Sequence, residues 1–136
     1  MVRRKPRAIV VGSFLDPVKQ IWSPHAQAFE TAQEAVAALG TRESYYEDFA
    51  YELNVSKDEV PAALERLDPA LAMETLIRVL QVVPGWAVRP FRTIREAEAF
   101  LDLIEQIAEK EEKRRQAEAL ANKAKVEEAL ARIANF

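Results

Sequence analysis

The chain has 136 residues, 49% of them hydrophobic and 30% charged, with a formal net charge of -3. That balance fits one globular domain with room for an appended helix, and it excludes a disordered tail. With no cysteine and only three glycines, disulfide frameworks, thiolate metal sites and glycine-rich phosphate loops are excluded as well, because Gly12, Gly40 and Gly85 stand far apart.

In chain order, Ala8 to Phe14 reads as a buried strand, a short apolar run with β-branched residues closed by Asp16-Pro17. Val18 to Trp22 is a candidate second strand, ended by Ser23-Pro24. An Ala-rich helix is then predicted over Thr31 to Leu39, with Thr31 as cap, Glu34 as capping-box partner and Gly40 as stop. From Glu43 to Leu53, the spacing of Tyr46, Phe49, Ala50 and Leu53 places them on one helical face, and Asn54 can end that helix in the left-handed conformation. A further helix begins near Ser56 or Asp58 and turns Val60, Ala63, Leu64 and Leu67 inward; Pro61 favours the later start, since proline is tolerated in a first turn. Leu71 to Val83 is the most hydrophobic helical segment, stopped by Pro84-Gly85. Trp86 to Phe91 reads as a short strand in which Pro90 argues for an edge position.

From Thr93 to Asn135 neither Gly nor Pro occurs, and Ala, Leu, Glu, Lys and Arg dominate, so a continuous helix of about 65 Å is predicted. Such a rod outruns a domain roughly 30 to 35 Å across. Ile94, Ala97, Leu101, Ile104 and Ala108 form a docking stripe, widened by Phe100 and Ile107. Glu109 to Gln116 is polar all round, with Glu109–Lys113 and Glu111–Arg115 as favourable four-residue pairs. Beyond it, Ala117, Leu120, Ala124 and Ala131 make one stripe, and Val126, Leu130 and Ile133 a neighbouring one. Two arrangements follow, a rod whose distal half meets a partner or a hairpin that breaks near Lys113 to Gln116; the lack of any breaker residue favours the rod.

One echo links the two halves. Phe29-x-Thr31-x-x-Glu34-Ala35-x-Ala37-x-Leu39 matches Phe91-x-Thr93-x-x-Glu96-Ala97-x-Ala99-x-Leu101, either through duplication of a strand-to-helix unit or through convergence on a good cap.

Candidates for chemistry are few. His25 is the lone histidine and sits beside Pro24 in a predicted loop, without a Cys or second His to form a dyad or a usual zinc site. The adjacent carboxylates Asp58-Glu59, Glu111-Glu112 and Glu127-Glu128 point to different sides of their helices and read as solvated. Neither an enzyme nor a cofactor is expected. No apolar run approaches the roughly 20 residues of a membrane-spanning helix, and the basic start (Arg3, Arg4, Lys5, Arg7) precedes too short an apolar stretch for a signal peptide. A cytoplasmic protein with no membrane partner is expected, and the abundance of charged residues is like that of heat-adapted chains.

Residues 42 to 83 carry Phe49-Ala50-x-x-Leu53-Asn54-Val55-Ser56, then Val60 and Leu64, then Met73-Glu74-Thr75-Leu76-Ile77-Arg78-Val79-Leu80. This pattern resembles the helix-turn-helix of Cro and lambda-type repressors and related antitoxins, which implies a helix near Ser56 entering the major groove. Charge opposes that use: Thr41 to Asp68 holds three basic residues against eight acids, a net charge of -5, where DNA binders normally neutralise phosphates. Arg3, Arg4, Lys5 and Arg7 remain the candidate contacts to nucleic acid or to an acidic surface.

The expected architecture is α+β, mainly α: a small two- or three-stranded sheet, a helical bundle, and a long C-terminal helix. Residues 1-108 are expected to form the compact domain, with its helical part over 31-83, and 109-136 a projecting helix. The expected function is non-enzymatic regulation by binding a protein partner, with the transcription machinery suggested by the resemblance. The partner-binding candidates are Leu120, Ala124, Val126, Leu130 and Ile133. The alternatives are a self-associating assembly or virion subunit, and a DNA-binding repressor or antitoxin.

Overall fold

The computed structural model describes residues 6–134, and 63% of these are helical and 14% in strands. The strands are β1 (Ala8–Gly12), β2 (Phe14–Asp16), β3 (Ile21–Trp22), β4 (Gln27–Phe29) and β5 (Ala87–Phe91). The helices are α1 (Ala32–Leu39), α2 (Ser44–Glu52), α3 (Val60–Arg66), α4 (Pro69–Gln81) and α5 (Ile94–Ala134), with a 3-10 turn at Lys57–Glu59 leading into α3. The fold is the mainly helical α+β arrangement the sequence predicts.

β1 lies at the centre of an antiparallel three-stranded sheet in the order β4-β1-β5, and β2 and β3 form a separate hairpin. The single strand predicted over Ala8 to Phe14 is therefore two. The chain breaks at Ser13, just after Gly12, where a Cβ would come within 2.7 Å of the Ala26 Cβ; only glycine lets the strand pass so close. The predicted strand Val18 to Trp22 also shrinks to Ile21–Trp22. Asp16 Oδ1 accepts from the Val18 and Lys19 N–H groups at 3.0 and 3.2 Å, so that aspartate holds the residues that follow it in a turn.

Because β4 and β5 both run antiparallel to β1, they are parallel to each other. Phe29 of β4 pairs with Ile9, and Phe91 of β5 pairs with Ala8. Successive residues of a strand point to opposite faces, so this offset of one residue sends the two phenylalanines to opposite sides of the sheet. On one face Ile9, Val11 and Phe29 join Tyr45, Phe49, Val60, Met73, Leu76 and Leu80 in the main core under α1 to α4. On the other, Ala8 and Val10 meet Ala97 and Ile104 of α5, with Phe91, Phe100 and Trp22 half-buried around them.

The sequence echo thus has a structural counterpart, since each copy is an edge strand, a threonine cap and a helix. Thr31 Oγ1 accepts from the Glu34 N–H at 3.1 Å, and Thr93 Oγ1 from the Glu96 N–H at 3.2 Å. The two units sit on opposite faces of β1, related by about a half-turn around it. They differ in how their helices end: α1 stops after eight residues at Gly40, whose φ of 83° favours glycine, whereas α5 runs for 41.

Between these units, α2 to α4 follow the predicted boundaries closely. Asn54 adopts the left-handed conformation (φ 59°) after α2, and Pro61 occupies the first turn of α3. Tyr45, not singled out by the spacing argument, is fully buried and donates from its hydroxyl to the Gly40 carbonyl at 2.5 Å. At β5, the Arg7 N–H donates to the Phe91 carbonyl at 3.0 Å. The N–H and carbonyl of one strand residue face the same way, so those of Phe91 turn inward and Pro90's missing donor falls on the open edge of the sheet. That edge is thereby poor at accepting another strand.

Candidate functional site

The rod arrangement is the one the structure adopts, because α5 is continuous from Ile94 to Ala134, about 60 Å at ~1.5 Å per residue. Only its first half is tied to the domain: Ala97, Ile104, Ala108 and Glu111 are buried, and Ile94, Phe100 and Leu101 are half-buried. Ile107, expected to widen the docked face, is 42% exposed. Every residue from 112 to 134 is exposed, a span on the order of 35 Å.

Glu111 corrects the reading of it as a solvated carboxylate. It is 9% exposed and is the last residue of α5 that the domain covers. Arg114 clasps it with Nε at 3.2 Å and Nη2 at 2.6 Å, and Arg115 Nε lies 3.5 Å away. The hydrogen bond from Arg114 holds the Glu111 carboxyl below the usual carboxylate range, and Lys19 on the hairpin adds a smaller attraction. Arg114 also reaches Glu118 at 2.8 Å, and Lys113 lies 3.7 Å from Glu109. Individually such exposed pairs contribute only a few tenths of a kcal/mol. Together they span the stretch where a hairpin would have to break and hold it helical.

The partner-binding candidates divide by face. At about 100° per residue, Val126, Leu130 and Ile133 lie within about 80° of the direction of Ile104, on the face that α5 uses to dock on its own domain. Leu120 and Ala124 lie about 160° away, on the opposite face. Val126, Leu130 and Ile133 are 58%, 59% and 69% exposed, so the docking stripe continues past the domain with nothing beneath it. Lys123 and Glu127 follow this part of the stripe along one edge and Lys125 along the other, beyond which Arg132 is paired with Glu128 at 2.8 Å.

The helix-turn-helix-like segment folds as α2, the left-handed Asn54, the turn into α3, and α4. Lys57, the one cation at the start of its second helix, is tied to Glu47 at 2.5 Å. The outer face of α2 exposes Tyr51 (83%) beside Glu47, Asp48 and Glu52.

Of the basic arm, Arg7 is exposed immediately before β1, and Arg3, Arg4 and Lys5 lie outside the described residues. Arg89 and Arg92 of the β5 end line an open cleft of about 570 Å³ with Pro6 and Phe91. The Arg89 guanidinium stacks there over Phe100 and Phe91, at 4.8 and 5.4 Å from the ring centroids. Sequence reasoning did not single out this pairing, which brings together residues from β5 and α5. His25 is exposed and lines a separate shallow cleft with Gly12, Gln27 and Trp86. Among the described residues no three His, Asp or Glu side chains are grouped so as to hold a metal ion, and no helix is long and apolar enough to cross a membrane.

Comparison with protein-family models, with curated proteins and with solved structures found no match for the chain.

Proposed function

We propose that the protein is a non-enzymatic regulator that works by binding a protein partner, and that its working surface is the distal half of α5. One observation carries this reading. Val126, Leu130 and Ile133, at spacings of four and three residues, extend the docking face of α5 beyond the domain while staying more than half exposed. Anchors at i, i+4 and i+7 are how an amphipathic helix seats in a partner's apolar groove. Three medium-sized aliphatic side chains left in water along one line represent an apolar surface that binding can remove from solvent at roughly 25 cal/mol per Å².

A place in transcription rests on the helix-turn-helix resemblance. Direct DNA binding by that segment is opposed by its net charge of -5 and by the engagement of Lys57 with Glu47. The resemblance, carried over, therefore favours a fold that contacts protein.

The test uses the full-length chain as bait in a lysate of its native host, with captured proteins identified by mass spectrometry. Val126→Asp with Leu130→Asp is expected to abolish capture of a specific partner, and Leu120→Asp on the opposite face to leave it intact. Capture that is equally sensitive, or equally insensitive, to both changes overturns the assignment of this face.

A further inference from the structure

We propose that the cleft between β5 and α5 binds a small apolar carboxylate, an acid with a hydrocarbon body, whose carboxylate is held by Arg89 and Arg92. The site lies on the domain, at the far end of α5 from the distal stripe, and stands independently of the function proposed above.

Two arginines define its head-group end. Arg89 and Phe91 are two residues apart on β5 and so share the face of the sheet that α5 covers. There the exposed Arg89 guanidinium stacks over Phe100 at 4.8 Å and Phe91 at 5.4 Å, which holds its plane against the rings while its side chain lines the cleft. Arg92, the residue after β5, is exposed and lines the same cleft. Among the described residues neither arginine is ion-paired with a carboxylate, in contrast to Arg114, Arg115 and Arg132 of α5. A guanidinium already held in one orientation loses little freedom on binding, and its planar fork matches a carboxylate through two parallel hydrogen bonds.

The walls select the body of the ligand. Pro6, Pro90, Phe91 and Ala99 line the cleft, whose volume of about 570 Å³ falls in the range of small-molecule sites. Leu103 and Ile107, about one and two turns beyond Ala99 on the same flank of α5, continue the apolar wall for on the order of 12 Å. They are 48% and 42% exposed, so a hydrocarbon laid along them removes apolar surface from water. Glu96 also lines the cleft, so one carboxylate already stands against the two guanidiniums and a singly charged head group fits better than a doubly charged phosphate. Pro90 places its missing donor on the open edge of β5, which denies an extended peptide a strand partner there. A hydrocarbon body needs no such partner.

Octanoate, kept well below the concentration at which it forms micelles, is the probe, and NMR titration of the full-length, nitrogen-15-labelled chain is the measurement. Saturable shifts are expected at the Arg89 Nε–H and at the amides of Phe91 and Leu103. Acetate is expected to bind at least about tenfold more weakly, for want of a hydrocarbon body, and octylamine, with the same tail and the opposite charge, to leave these signals unmoved. Arg89→Gln should weaken octanoate by about tenfold and Arg92→Gln by about threefold, whereas Glu96→Gln should strengthen it by about threefold, because it removes a like charge. Arg92 and Glu96 are exposed and lie clear of the stacked rings, so these two variants carry the test even where Arg89→Gln perturbs the fold.

A wild-type chain that shows no saturable binding of octanoate overturns the proposal, as does an affinity unchanged by both Arg92→Gln and Glu96→Gln. Octylamine that binds as tightly as octanoate overturns it by showing a site that reads hydrocarbon alone, and acetate that does so by showing an adventitious ion only. Tighter binding of octyl phosphate overturns the assigned head group, and tighter binding of a peptide with an apolar C-terminal residue makes the cleft a contact for protein instead.

Discussion

The two faces of β1 are covered in different ways. Ile9 and Val11 look into a core built from four helices, in which Tyr45, Phe49, Leu76 and Leu80 are fully enclosed. Ala8 and Val10, their neighbours in the same strand, meet a single helix, and the aromatic residues around them stay half-buried. Both sides begin with the same strand–threonine–helix unit. The difference shows that a shared local start does not set how much a helix buries: α1 joins three further helices over its face, whereas α5 is the one helix on the other face, with Trp22 of the hairpin beside it, and then continues into solvent.

Two isoleucines, one from each side, give the largest expected contrast. Ile9→Ala should cost about 4 kcal/mol, because a core enclosed on all sides cannot collapse into the cavity, and Ile104→Ala about 2 kcal/mol at the more open face. Urea unfolding of both variants checks this, and equal losses would break the comparison. Next come the caps. Thr31→Ala and Thr93→Ala each remove a side-chain acceptor from a helix start, and each should cost about 1 kcal/mol by the same measurement. A large inequality between them would show that the two units are alike in geometry and unlike in energy.

The sides also respond to opposite ends of the pH scale. Burial, with smaller contributions from Tyr46 and Glu43, pushes the Tyr45 hydroxyl up from 10.0 to about 12. Folding thus favours its neutral form, so this stabilisation is complete below 10.0 and is lost as pH climbs from there through 12. Glu111 has a lowered value, so its contribution is complete above the ordinary 4.5 and is lost as pH falls through the folded value. Circular dichroism should show an alkaline loss of structure that Tyr45→Phe delays, and an acid loosening of α5 that Glu111→Gln removes. The smallest effect is expected on the distal half, where Val126→Ala, Leu130→Ala and Ile133→Ala should each change the stability of the isolated chain by less than about 0.5 kcal/mol.

Much of this architecture is legible in the chain, for identifiable reasons. Thr31, Glu34 and Gly40 bound α1, and Pro84-Gly85 closes α4, because caps and breakers act within a few residues of themselves. The rod is legible because nothing between Thr93 and Asn135 interrupts it, and the alignment of Val126, Leu130 and Ile133 with Ile104 follows from counting along a helix. β4 escapes such reading. Gln27-Ala28-Phe29 has no strand pattern of its own and is extended because β1 pairs with it. The break at Ser13 is hidden for a related reason, since it depends on Ala26 pressing against Gly12 from elsewhere in the chain. Glu111 reads as solvated because its cover comes from the domain beside it, which the spacing of charges along one helix cannot reveal.

The central position of β1 also has a consequence for the order of assembly. β1 is made first, yet its partner β5 follows only about 80 residues later, as the pairing of Ala8 with Phe91 requires. A nascent chain can pair β1 with β4 and gather α1 to α4 against one side of that ribbon while the other edge and the other face still wait. Joining β5 closes a long loop, whose entropic cost precedes any gain, so it belongs late in folding. Until α5 has emerged and folded down, Val10 and Ala8 remain open to any apolar surface nearby, and this is the interval in which the chain is most exposed to misassembly.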